Sequence, residues 1–377
     1  MNISDESITS NKPADKLLTL QNSSCNDVPV IPVSVRCHLA SSEGIIMLKF
    51  DEDQFLTRAR SFLGLQPRIE EVVAGLSDVD AVFLIGSGGT YAAMWPYEHL
   101  LRRTTRIPVR SAIAAELVLS GDALLTERAV AVFASASGTT EDVIQAIEYC
   151  RARGVRTVGF TGIADSPIAQ AVDHALISEP DAWPFDLGLL LFTTRFLSER
   201  GEFAGYDKLV DQLQAVPAAL VEVARKAEPV AEAFAARHRD TDFHFVVGSG
   251  NLWGHAYLYS MCILEEMQWL RTTRVHGAEF FHGSLELIEP DTSVLLFVGE
   301  DETRPLMERV VRFSEKYSQA TTVLDTADYA LEGVDDEFRG LLAPLVMDTI
   351  TSRISKHLEK QRDHSLDLRR YYRVVEY

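Results

Sequence analysis

Three stretches of the 377-residue chain hold side chains able to do chemistry. The first is Ala131 to Asp142, where an apolar run that reads as a buried strand breaks into Ser135-Ala136-Ser137-Gly138 and then opens a helix through Thr139, Thr140 and an acidic first turn. Short hydroxyls and free backbone N–H groups at a helix N-terminus suit an anion, and the expected anion is a phosphate. An ordinary N-capped turn would carry the same letters. The second stretch is a helix expected over Leu252 to Leu270, which sets Glu265 and Glu266 among Ile263, Leu264, Met267, Trp269 and Leu270. A carboxylate desolvated by such a face gains proton affinity and becomes a proton-moving base; at an exposed helix edge the same pair is only solvated surface. The third is Gly277-Ala278-Glu279-Phe280-Phe281-His282-Gly283, whose histidine is either an acid–base group or a structural one.

These residues need a scaffold, and the surrounding pattern supplies one. Strands expected at Ala81–Ile85, Pro108–Ser111, Val130–Ala134, Val155–Thr161 and His174–Ser178 alternate with helices, which implies βαβ units and a parallel sheet covered on both faces. Two amphipathic helices broken at Pro67 precede them, and helical periodicity over Phe185–Glu199 and Tyr206–Arg237 follows. The alternation then restarts. Phe83-Leu84-Ile85-Gly86-Ser87-Gly88 and Phe245-Val246-Val247-Gly248-Ser249-Gly250 are near copies 162 residues apart, which indicates a duplicated α/β unit. The second copy continues with strands at Ser293–Val298 and Thr321–Leu324 and helices at Arg304–Tyr317 and Leu342–Glu359. Where the first copy has its hydroxyl loop, the second has Gly299-Glu300-Asp301-Glu302-Thr303, whose carboxylates would repel a phosphate. Only the first half is expected to hold that group.

Composition narrows the classes. A 46% hydrophobic and 24% charged chain suits a soluble globular protein, and a formal net charge of −19 leaves no basic stripe for nucleic acid. No apolar run is long enough to suggest a membrane span or a leader, so a cytoplasmic protein is expected. Cys25, Cys37, Cys150 and Cys262 show neither metal-site nor paired spacing and read as reduced thiols. Residues 1–46, rich in Ser, Asn and Pro, are expected to be a disordered extension.

The ordered set Gly-Ser-Gly-Gly-Thr-Tyr, Ser-Ala-Ser-Gly-Thr-Thr, a Glu-bearing helix and Ala-Glu-Phe-Phe-His-Gly resembles the sugar isomerase (SIS) family, from about residue 50 to the C-terminus. The similarity is to its double-SIS members, the deglycases of phosphorylated Amadori compounds and the isomerase half of glutamine-fructose-6-phosphate transaminase. It implies two tandem doubly wound SIS domains with parallel five-stranded sheets flanked by helices. The implied boundaries are 47–200 with the leading helices, a helical connector over 201–240 and a second domain over 241–377. By position it assigns the substrate phosphate to Thr90, Ser135, Ser137 and Thr140, with Ser87 and the Ala136 backbone in lesser roles. The family's spacing of sixteen residues between acid and histidine selects Glu266 and His282 as catalytic, leaves Glu265 as a structural neighbour and matches Glu279 to the motif acid.

Resemblance further implies no metal, no organic cofactor, and a homodimer whose histidine reaches across to the other subunit. Where the amino-transfer relatives place a lysine near the C-terminus, this chain reads Leu366-Asp367-Leu368-Arg369-Arg370-Tyr371-Tyr372. Arginine is a poor proton shuttle but a good carboxylate ligand, so Arg369 and Arg370 are either contacts for an amino-acid moiety or tail residues paired at the surface. No glutaminase segment is recognised. The expected activity is cleavage of a fructosyl-amino acid 6-phosphate to glucose 6-phosphate and a free amino acid. The alternatives are an aldose–ketose isomerase or deaminase of an amino-sugar phosphate, and a sugar-phosphate sensor without catalysis.

Overall fold

The computed structural model describes residues 46–178 and 185–376. The expected disordered extension, with Cys25 and Cys37, lies outside the described residues apart from Ile46. Helices α1 (Glu52–Gly64) and α2 (Gln66–Ala74) lead, burying Phe62, Leu63, Ile69, Val72 and Val73. Pro67 falls in the first turn of α2, where its missing N–H leaves no hydrogen bond unmade.

The first sheet is built by β1 (Ala81–Gly86), α3 (Gly89–Ala93), α4 (Trp95–Thr104), β2 (Val109–Ile113), α5 (Ala114–Ser120), β3 (Ala129–Ala134), α6 (Glu141–Arg151), β4 (Arg156–Thr161), α7 (Pro167–Ala171) and β5 (His174–Ile177). All its strands run parallel in the order β2-β1-β3-β4-β5. The continuous apolar strands β1 and β3 are buried on both faces, whereas β2, at the edge, is largely half-buried or exposed. The helical stretch after β1 is divided at Met94, because Pro96 starts a new helix in the first turn of α4.

Helix α8 (Phe185–Glu199) is buried on nearly every side, then α9 (Tyr206–Leu213) and α10 (Val216–His238) lead to the second sheet. There β6 (Phe243–Gly248), α11 (Trp253–Leu258), β7 (Arg271–His276), β8 (Val294–Val298), α12 (Arg304–Tyr317), β9 (Thr321–Asp325) and α13 (Asp336–Gln361) repeat the pattern. The order is β7-β6-β8-β9, again parallel.

Two features depart from the sequence expectations. The second sheet has four strands among the described residues rather than five, because Thr326–Asp335 is broken by Asp328, Gly333 and Asp335 and offers no apolar run to pair with β9 before α13 begins. Strand β7 was not expected: Arg271-Thr272-Thr273-Arg274-Val275-His276 is a polar edge strand without hydrophobic alternation.

The halves are fastened by helices from both. Helices α10 and α13 pack along one another, and between them Glu228 receives Arg353 Nε at 2.8 Å, His357 Nε2 at 2.8 Å and the Leu48 N–H at 2.6 Å. Arg353, 2% exposed, also donates to the Leu48 carbonyl. A second fastening is a close approach: a Cβ on Gly254 of α11 would lie 2.3 Å from the Ala92 carbonyl oxygen of α3.

Removing one partner from a buried ion pair strands the other, so Glu228→Ala is expected to cost about 3–5 kcal/mol in urea denaturation. Burial alone would raise the Glu228 carboxyl, and the hydrogen bonds from Arg353, Leu48 and His357 outweigh it and hold it below its ordinary value. The wild-type contribution is therefore complete above the unfolded value of about 4.3 and is lost as pH falls through the lowered folded one. The pH dependence of stability in this acid range should be shallower in the Glu228→Ala variant than in the wild type.

Candidate active site

Strand order 2-1-3 places a topological switch point between β1 and β3, and the loops at their carboxyl ends, Ser87–Thr90 and Ser135–Thr140, flank the crevice there. Ser135 continues the ladder through its N–H to Phe160 O at 3.0 Å, and its buried Oγ turns back to accept the Gly138 N–H at 3.2 Å. Its Oγ also lies 3.1 Å from Thr140 Oγ1. Gly138 makes this turn at φ +62, and a Cβ there would sit 2.2 Å from Ser166 Oγ, so any other residue displaces the wall behind the loop. The N–H groups of Ala136, Ser137 and Thr140 donate to no acceptor among the described residues. Thr140 is the N-cap of α6, but its side chain is not spent on capping. The result is a concave set of unspent donors at a helix N-terminus. In the β1 loop, Thr90 Oγ1 donates to Ser87 O at 3.1 Å, while the buried Ser87 Oγ has no hydrogen-bond partner among the described residues.

The carboxylate arrives from the other half. After α11 the helix widens over Tyr259–Glu265 into a π-helical turn, with Glu266 N bonded to Met261 O at 3.1 Å. This turn lies on the β1 loop: a Cβ on Gly89 would be 3.3 Å from Cys262 Sγ, and one on Gly88 4.0 Å from Met261 Cε. Burial, with Glu266 nearby as the next influence, pushes the Cys262 thiol up to about 12, which makes it an inert wall rather than a nucleophile. The two adjacent acids diverge. Glu265 turns to β7, paired with Thr272 Oγ1 and with Arg274 Nη1 at 3.3 Å. Glu266 turns to the C-terminal tail, where Arg369 Nε donates to it at 2.9 Å.

The tail is itself anchored on the turn that ends the π-helical segment. Gln268 Nε2 donates to His364 O at 2.8 Å, His364 meets the Trp269 ring edge-on, and the Arg370 guanidinium lies 3.9 Å over Trp269. Trp269 adopts φ +54, a left-handed conformation held by these contacts. Further along, Arg373 Nη2 donates to Ser137 Oγ at 3.2 Å. One short segment thus touches both the carboxylate and the hydroxyl loop.

The tail therefore links Glu266, through Arg369, to Ser137, through Arg373; Ser135 and Thr140 adjoin Ser137 in the hydroxyl loop with Ala136 exposed, and Ser87 and Thr90 belong to the β1 loop on which the π-helical turn rests. Arg370 is held away on Trp269. His282 ends a 3-10 turn (Phe280–His282) after β7 and is exposed, and its backbone N–H donates to Glu279 O at 2.9 Å. Among the described residues no hydrogen bond or ion pair joins His282 or the exposed Glu279 side chain to Glu266 or to the loop. Arg373 was not singled out by sequence, since it is one more arginine in a tail of Arg and Tyr.

In the second half the equivalent crevice is occupied from within. Asp301, at the position of Ser137, accepts the Asn251 N–H at 2.7 Å and Thr303 N and Oγ1 at 2.8 and 2.6 Å. Glu300 pairs bidentately with Arg339, and Glu302 crosses to His99 and Arg103 of α4. The adjoining cleft of about 290 Å³ is lined by these acids and by Asp336 and Glu337. An internal carboxylate fills the place where the first half presents open donors.

A family model for the SIS domain matches residues 75–188, the half with the open loop. The fructosamine deglycase FrlB of Bacillus subtilis is 34% identical over 323 residues, spanning 81% of this chain and 97% of that protein. The chain belongs to the sugar isomerase (SIS) family. Another SIS relative, the fructoselysine 6-phosphate deglycase of Escherichia coli, is 28% identical over 82% of this chain and 90% of its own. Among solved structures, one from B. subtilis described as a phosphosugar isomerase superposes with a TM-score of 0.79 at 29% identity, covering 84% of this chain and 99% of that one. The C-terminal domain of glucosamine-fructose-6-phosphate aminotransferase from Francisella tularensis shares the fold, with a TM-score of 0.72 at 14% identity over 87% of this chain and 99% of its own.

For this SIS loop the expectation is concrete. Gly138→Ala forces a left-handed alanine, costing about 1–2 kcal/mol, and displaces Ser166. Urea denaturation should show that loss, while circular dichroism retains the α/β spectrum.

Proposed function

We propose that the protein is a deglycase that cleaves a fructosyl-amino acid 6-phosphate to glucose 6-phosphate and the free amino acid. The observation that carries this reading is the composite crevice, in which open donors from the first half and the Glu266 carboxylate from the second are spanned by one tail segment. The names of the relatives, fructosamine deglycase and fructoselysine 6-phosphate deglycase, support the same substrate class.

The substrate carries a ketone at carbon 2 and the amine on carbon 1. Ser135, Ser137, Thr140 and the Ala136 N–H take the phosphate, with Ser87 and Thr90 from the β1 loop. Glu266 removes a proton from carbon 1, the electron pair moves to form the carbon 1–carbon 2 double bond, and the carbonyl oxygen gains a proton, giving an enaminol. Return of a proton to carbon 2 yields the imine. Water adds at carbon 1 and the carbon–nitrogen bond breaks, releasing the amine and the aldose phosphate, so the net reaction is a hydrolysis. A positioned acid–base group of this kind contributes on the order of 10²–10⁴ in rate.

Arg369 holds Glu266 through its Nε. A substrate carboxylate competes for that guanidinium and frees the base as the substrate binds, with Arg370 and Glu279 as outer contacts of the amino-acid part. His282, exposed and without a hydrogen bond to Glu266 among the described residues, assists ring opening from the other subunit of a homodimer. The functional division places the first SIS domain at 47–200, the connector at 201–240 and the second domain at 241–377, in a cytoplasmic enzyme.

The test is a panel of fructosyl-amino acid 6-phosphates assayed for glucose 6-phosphate release in deuterated water. Turnover with deuterium at carbon 2 is expected; no release from any member, or interconversion of glucose 6-phosphate and fructose 6-phosphate instead, overturns the reading. Glu266→Gln should lose at least 10² in kcat with dissociation constants unchanged within a few-fold. Ser137→Ala should weaken affinity by about 1.5–3 kcal/mol, as for a hydrogen bond to a charged group, and leave kcat largely intact.

A further inference from the structure

The hydroxyl loop binds an anion with dipoles, yet the chain around it carries a formal net charge of −19. Among the described residues, Arg373 is the cation that hydrogen-bonds to residues 135–140, through Nη2 to Ser137 Oγ at 3.2 Å. It makes no ion pair with a carboxylate among the described residues; its neighbour is the Tyr372 ring, 5.4 Å from the guanidinium carbon. The other two tail arginines are already engaged, Arg369 with Glu266 and Arg370 with Trp269.

The hydrogen bonding at Ser137 is unbalanced. Arg373 Nη2, the Thr139 N–H at 3.3 Å and Thr139 Oγ1 at 3.0 Å all converge on Ser137 Oγ. A hydroxyl oxygen has two lone pairs, so three donors around it form an environment better suited to an oxygen-rich anion. The backbone brings Arg373 there at some cost: it adopts φ +58, in a turn closed by the Val374 N–H on Tyr371 O at 2.8 Å.

We propose that Arg373 is a ligand of the substrate phosphate and the residue that selects phosphorylated over unphosphorylated fructosyl-amino acids. This rests on the deglycase reading. When the phosphate enters, the guanidinium moves from the serine hydroxyl to the phosphate oxygens, forming charge-assisted bonds that a neutral loop cannot provide. Ser137 Oγ is then free to donate its own proton to the anion.

The test compares wild type, Arg373→Ala and Arg373→Lys on a fructosyl-amino acid 6-phosphate and on its unphosphorylated counterpart, with glucose 6-phosphate binding measured by calorimetry. Arg373→Ala is expected to raise KM for the phosphorylated substrate and the Kd of glucose 6-phosphate by about 10- to 100-fold. Its kcat should stay within a few-fold, the ratio of kcat/KM for the phosphorylated over the unphosphorylated compound should fall by about the same factor as KM rises, and Arg373→Lys should recover part of the loss. Unchanged KM and Kd in Arg373→Ala overturn the assignment while the deglycase reading stands. If the wild type turns over no phosphorylated substrate, the deglycase reading fails, and the glucose 6-phosphate Kd values still decide whether Arg373 binds phosphate.

Discussion

Much of this molecule follows from the absence of a side chain at Gly254. The Ala92 carbonyl of α3 lies too close to leave room for a Cβ, so α11 rides directly on α3 of the other half. That approach carries the π-helical turn beyond α11 onto Gly88 and Gly89, and with it Cys262 and Glu266. A larger residue at 254 would hold the carboxylate of one half away from the donors of the other. The crevice is composite because two backbones meet at almost van der Waals distance.

The duplication supplies two such crevices, and charge distinguishes them. Ser137 leaves its surroundings rich in donors, whereas Asp301 at the equivalent place satisfies Asn251 and Thr303 with its own carboxylate. A dianion entering the second crevice would have to displace a covalently tethered anion that is already hydrogen-bonded, at high effective concentration. Glu302 goes further, tying the acidic loop to His99 and Arg103 and turning a potential site into a joint between the halves.

The parts of this architecture that were legible in the sequence are those governed by local periodicity. The buried runs β1, β3, β6 and β8, the hydroxyl loop and the repeat at an offset of 162 are all properties of short segments. Strand β7 escaped because an edge strand can satisfy its geometry with Thr and Arg, and the four-stranded second sheet escaped because five strands were what the family resemblance implied. The widening of the helix at Tyr259–Glu265, which sends Glu265 and Glu266 to different partners, depends on packing against the β1 loop and leaves no mark in the apolar pattern. Arg373 lay beyond reach for a similar reason: its partner is 236 residues away and only the folded tail brings them together.

The Glu228 cluster has a consequence for the order in which the chain matures. Leu48 and Arg353, 305 positions apart, meet over a carboxylate donated by a helix midway between them. During synthesis the emerging polypeptide holds Glu228 without Arg353 until α13 has left the ribosome, so the connector helix cannot settle in its final dry packing before then. Closure of so long a loop is entropically slow, and the nascent first half must remain soluble for that interval on the strength of its own sheet.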